Sequence, residues 1–186
     1  MREKRKYLHS TDIFEQITNL KKNSQLLNID IFFKNQINNI PFIIIQYNPS
    51  EIKRNQSNVY FKFKMKKKIF FGYIFESKKK IHNIRRYNEK IFQKMVKIDN
   101  NIIYIPNSSK FNFIEKITSG AMKFLKKKSP EKKNKWYLAS LNLKSFFEKK
   151  KFIRLKLISL KKIKTFALFD IIANKNKIGK MIFIKK

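Results

Sequence analysis

Val59-Tyr60-Phe61-Lys62-Phe63-Lys64-Met65-Lys66 alternates strictly, and its reading decides the fold. A period of two places Val59, Phe61, Phe63 and Met65 on one face of a strand and Lys62, Lys64 and Lys66 on the other. Only one of these faces suits a core. Lys67-Lys68 follows as a bend, and Ile69–Phe75 reads as the returning strand of an antiparallel hairpin. Gly72 interrupts that second strand, where a glycine marks a bulge or the close approach of another backbone.

Working outward, helical spacing of Ile13, Phe14, Ile17 and Leu20 predicts a helix over 12–22, with Asp12 as cap and Glu15 in capping-box spacing. Ile29–Phe33 and Phe42–Tyr47 read as buried strands, separated by an Asn-rich stretch and ended by Asn48-Pro49-Ser50. A short helix is expected over 88–96 and a strand over 102–105. The main helix is expected over 112–128, with Phe113, Ile114, Ile117, Ala121, Phe124 and Leu125 as its apolar stripe. Trp136–Leu141, Phe152–Leu160, Thr165–Ile172 and Met181–Ile184 are strand-like, with a hairpin loop at 174–179. Trp136, the only Trp, is expected as a core anchor. About eight strands and two or three helices in no repeating βαβ order imply an α+β fold with a mainly antiparallel sheet. The expected organisation is a basic N-terminal arm (1–10) and one domain (11–186).

Charge is the second strong signal. Forty-five Lys and Arg face twelve Asp and Glu, a net +33. Lys, Ile, Asn, Phe and Tyr supply 113 of the 186 residues, and these are the types whose codons are made almost wholly of A and T. Part of the lysine excess therefore reflects a nucleotide bias. The acid deficit and the uneven distribution do not: residues 1–60 carry 9 basic and 5 acidic side chains, residues 111–186 carry 22 and 4. That asymmetry implies a polyanionic partner.

Three clusters would meet it. Lys62, Lys64 and Lys66 form a row on the strand at a spacing of about 6–7 Å, near that of successive phosphates. Lys78, Lys79, Lys80, His82, Arg85, Arg86 and Tyr87 combine forked guanidinium groups with rings able to stack on a base. Lys126, Lys127 and Lys128 close the main helix, and Lys132, Lys133 and Lys135 follow in the connector.

Catalysis has less support. His9, Asp12 and Glu15 stand three residues apart in succession, so that helical turns would bring neighbours together as a metal site or an acid–base pair, but the spacing suits a capped helix start better. There is no Gly-rich phosphate loop, HExxH or GxSxG, and no Cys; nothing implies a metal or cofactor. No apolar run reaches the length of a membrane span. The leading expectation is a structural RNA-binding protein, ribosome-associated, bound to rRNA and to neighbouring proteins of a ribonucleoprotein. Its setting would be a mitochondrial matrix, a plastid stroma or the cytoplasm of a reduced-genome bacterium. The alternative is a small α+β enzyme or acyl/ligand-binding domain whose charge is codon bias alone, and the third is a subunit of a larger protein assembly.

Overall fold

The computed structural model describes residues 8–20, 25–81, 88–128, 135–146, 155–162 and 165–185. In chain order they form α1 (Ser10–Asn19), β1 (Leu26–Phe33), β2 (Asn39–Gln46), α2 (Glu51–Gln56), β3 (Val59–Met65), β4 (Lys68–Lys80) and α3 (Glu89–Met95). There follow β5 (Lys97–Asp99), β6 (Ile102–Ile105), α4 (Phe113–Lys128), β7 (Trp136–Phe146), β8 (Leu155–Lys162), β9 (Phe166–Ala173) and β10 (Asn176–Lys185). The fold is α+β. Ten strands make one antiparallel sheet in the order β2-β4-β3-β1-β7-β10-β9-β8-β6-β5.

Alternation at 59–65 does what its period requires. Val59, Phe61 and Phe63 are buried in the core, while Lys62 and Lys64 stand half-exposed on the opposite face. The strand ends at Met65, so Lys66 leaves the row. It occupies the hairpin turn with φ 54°, and Met65 pairs with Lys68. The bend is therefore Lys66-Lys67 rather than Lys67-Lys68. Gly72 is no bulge: it pairs regularly with Phe61, whose ring lies against it where a Cβ would stand. Phe61, Phe63 and Phe70 then stack in series, with centroids 6.1 and 5.2 Å apart.

One face of the sheet carries the helices. α4 packs on β6, β7 and β8, and α1 and α3 pack on α4. Asn112 caps α4: its side chain accepts from the Glu115 amide at 2.9 Å, and Glu115 Oε2 accepts from the Asn112 amide at 2.8 Å. This reciprocal box satisfies two donors that would otherwise be orphaned and accounts for a buried acid. Trp136 is buried at the start of β7, as expected of an anchor.

The other face carries only α2 among the described helices. β2 and β3 both pair antiparallel with β4, so the chain between them must cross it. α2 makes that crossing, fixed by the Ser50 amide donating to the Tyr73 hydroxyl at 2.7 Å and by Arg54 over the Tyr60 ring. Burial raises the Tyr60 phenol above its ordinary pKa, with the Arg54 guanidinium opposing.

Differences from the expected boundaries have local causes. β2 starts at Asn39, before Pro41; an edge strand tolerates a residue with no N–H. The last hairpin turns in two residues, Asn174 and Lys175, both at positive φ. Gly179 lies inside β10, its Cα against the Asn142 carbonyl of β7 where a side chain would clash. Leu8 bridges Ile37 and Ser10 opens α1, so the expected basic arm is partly within the fold; residues 1–7 lie outside the described residues.

Two outcomes follow from these contacts. Gly72→Ala should destabilise the protein by about 1–3 kcal/mol through overpacking, read by urea denaturation, and Phe61→Leu in the same chain should restore part of the loss. Tyr60 holds its proton more tightly when folded, so its contribution to stability is intact below pH 10 and is lost as pH rises through the raised pKa. Tyr60→Phe should therefore flatten the fall of stability measured above pH 10.

Candidate functional site

Helix α1 begins one residue after His9, which is its N-cap. The His9 amide donates to Asp12 Oδ2 at 2.9 Å, placing Asp12 at the third position of the helix rather than at its cap. Ile13, Phe14 and Ile17 turn into the core, and Phe14 meets Phe146 of β7 edge-on at 5.0 Å. This leaves Gln16, Asn19 and Leu20, spaced i, i+3 and i+4, on a flank of the helix that faces β2.

Between that flank and the start of β2 lies a groove of about 420 Å³, lined by Gln16, Asn19, Leu20, Ile40, Pro41 and Ile43. It is shallow and largely open to solvent. Four of the six lining side chains are apolar, the other two are neutral amides, and none is ionisable. Leu20 and Ile40 are 37% and 42% exposed, so the groove presents apolar surface to water. Pro41 stiffens the strand at this point, and its missing N–H leaves the edge without one donor.

The predicted basic clusters are placed differently. Lys62 and Lys64 project from the face opposite α4, whereas Lys126, Lys127 and Lys128 are exposed at the end of α4 itself, so the sheet separates the two sets. Lys62 is paired with Asp30 of β1 at 3.0 Å, and the Asn142 amide also donates to Asp30. Lys66 is in the turn. Lys78, Lys79 and Lys80 are exposed residues of β4, which runs beyond the expected Ile69–Phe75. Lys135 is exposed just before β7. His82, Arg85, Arg86, Tyr87, Lys132 and Lys133 lie outside the described residues.

A further acid offsets lysine charge in the central strands. Asp170 of β9 meets Lys177 at 2.7 Å, and it sits opposite Lys180 in the ladder. On α4, desolvation lowers the Lys116 pKa below its ordinary value, with Glu115 opposing. Among the described residues no group of three His, Cys, Asp or Glu is placed to hold a metal ion.

No protein-family model matches the chain, and no curated protein matches it in sequence. Solved structures resemble it in shape. The dehydratase domain of RzxB from Pseudomonas fluorescens is 8% identical, with 96% of this chain and 83% of that one covered and a TM-score of 0.47. The dehydratase domain from the CurF module of Curacin polyketide synthase is 6% identical, with 97% and 84% covered and a TM-score of 0.45. The tesB protein of Mycobacterium avium subs paratuberculosis is 5% identical, with 100% and 89% covered and a TM-score of 0.44. At these identities no residue role passes from them to this chain. They are not ribosomal or RNA-binding proteins, and the expectation of a ribosome-associated structural RNA-binding protein is corrected accordingly.

Proposed function

We propose that this protein is a small ligand-binding domain whose site is the groove between α1 and β2. The observation that carries the reading is the groove's lining: Leu20, Ile40, Pro41 and Ile43 supply an apolar bed, and Gln16 and Asn19 supply the polar end. An apolar chain ending in a neutral hydrogen-bonding group, such as an acyl amide or ester, matches that division. The four apolar side chains would take the hydrocarbon. The two amides, one turn apart on α1, offer both donors and acceptors to a carbonyl or an N–H. A carboxylate would find no cation in this lining, and a bare hydrocarbon would leave both amides without a partner, a loss on each side.

The reading is of binding rather than turnover, since none of the six described lining side chains can move a proton. Titration with a fluorescent medium-chain acyl amide tests it. The unmodified protein should bind saturably. Ile43→Trp, which fills the groove, should weaken binding by about tenfold or more, equivalent to ~1.4 kcal/mol. Leu160→Ser, at an exposed position of β8, should leave affinity unchanged. Absence of saturable binding, or equal affinity in the Ile43→Trp protein, would overturn the proposal.

A further inference from the structure

β2 has a second end, away from the groove, and a different surface is assembled there. Tyr47 leaves the strand 58% exposed, and its ring lies 5.0 Å from that of Phe70 on β4. The Lys68 ammonium stands over the same ring at 5.3 Å, which ties Tyr47 to the β3–β4 hairpin. From Tyr47 the chain runs directly into α2, whose Ile52 is 71% exposed, the highest value among the described large apolar residues. Lys53 reaches back to Gln46 Oε1 at 2.7 Å, holding the start of α2 over the end of β2. Ile69, the second residue of β4, is 51% exposed. Ile69 neighbours Phe70 in the strand and points to the opposite face, so this corner of the sheet carries Tyr47 on one side and Ile69 on the other, with Ile52 on the helix that crosses β4.

Cations ring that corner. Lys66 and Lys67 form the hairpin turn and Lys68 follows, all exposed, with Lys64 opposite Ile69 and Lys53 on α2. Glu51 is the single acid in the segments 47–53 and 64–69. A protruding apolar tip inside a lysine ring is costly in water and would repel a basic partner. Its complement is an anionic surface with an apolar interior reachable within a few ångströms. Exposed Tyr beside Lys suits the depth where headgroups meet acyl chains, and each lysine near such a surface adds attraction.

We propose that the corner formed by Tyr47, Ile52 and Ile69 with the Lys66–Lys68 turn is a docking surface for an anionic lipid bilayer. Lysines bring the protein to the headgroups, and the three apolar side chains enter the interface. Nothing crosses the bilayer. The proposal is independent of the groove, which lies at the opposite end of β2.

A net charge of +33 attracts any anionic vesicle, so the test must report which face meets the lipid. The chain has no Cys, and Ile52→Cys therefore carries a single label site. An environment-sensitive dye at position 52 should shift to the blue with phosphatidylcholine vesicles containing about one-third phosphatidylglycerol, whose negative surface attracts lysines, and brominated acyl chains should quench it. The same dye on Lys127→Cys, at the end of α4, should do neither. Ile69→Ser with Tyr47→Ser should lower vesicle partitioning about tenfold or more, while Lys126→Gln with Lys127→Gln should change it less than twofold. Equal shifts at 52 and 127, no shift at 52, or unchanged partitioning of the serine variant would each overturn the proposal.

Discussion

The antiparallel pairing of β1 with β7 is the contact on which the rest of the structure depends. Leu26 pairs with Phe146 and Phe32 with Ser140, joining segments more than a hundred residues apart in sequence. On one side of this seam stand β2, β4 and β3; on the other stand β10, β9, β8, β6 and β5. Each side has its own local hairpins, but neither could bury its apolar face alone. The seam aligns Ile29 and Ile31 with Leu141 and Leu143, and α1 and α4 meet over the continuous surface so made. A one-residue slip here would turn every one of these side chains outward.

That dependence explains how the charge is tolerated. The open face of the seam is a row of polar residues, Lys62, Asp30, Asn142, Lys180 and Asp170, taken from five adjacent strands. Two of the chain's few acids are spent at the middle of the sheet, where lysines from both sides converge. Exposed pairs of this kind contribute little stability individually. Their effect is to prevent repulsion at the place where the chain can least accommodate it, and the uncompensated lysines are left to the rims, turns and helix ends.

Much of the fold could be read from the sequence because period decides it locally. Phe61 and Phe63 against Lys62, and Ile114, Ile117, Ala121 and Phe124 on α4, needed no tertiary information. What escaped reading had no period to show. Glu51–Gln56 is six residues with one apolar side chain, and its helix is set by the crossing over β4 and by the Ser50 cap rather than by amphipathicity. Lys97–Asp99 is three residues long. β2 starts three residues before the expected Phe42 and includes Pro41, which an edge strand accommodates, and that β2 is an edge is a fact of topology. The groove escaped for a similar reason: its two walls are distant in sequence and hold no residue whose chemistry stands out alone. The basic clusters were conspicuous as sequence, yet the sheet sets Lys62 and Lys64 apart from Lys126–Lys128, a separation no linear pattern records.

The seam also imposes an order on synthesis. As the chain emerges, β1 finds β3 after a few tens of residues, but its other edge must wait for β7. At roughly 5–20 residues per second, the interval is on the order of 5–20 s. Through that time the nascent first half presents an unpaired, apolar strand edge of the kind that templates aggregation. Asp30, midway along β1, is the one charge on that waiting strand, and a charge at its middle makes the strand a poor template for passing chains. A residue that balances lysines in the finished sheet thereby acts earlier as a gatekeeper of the unfinished one.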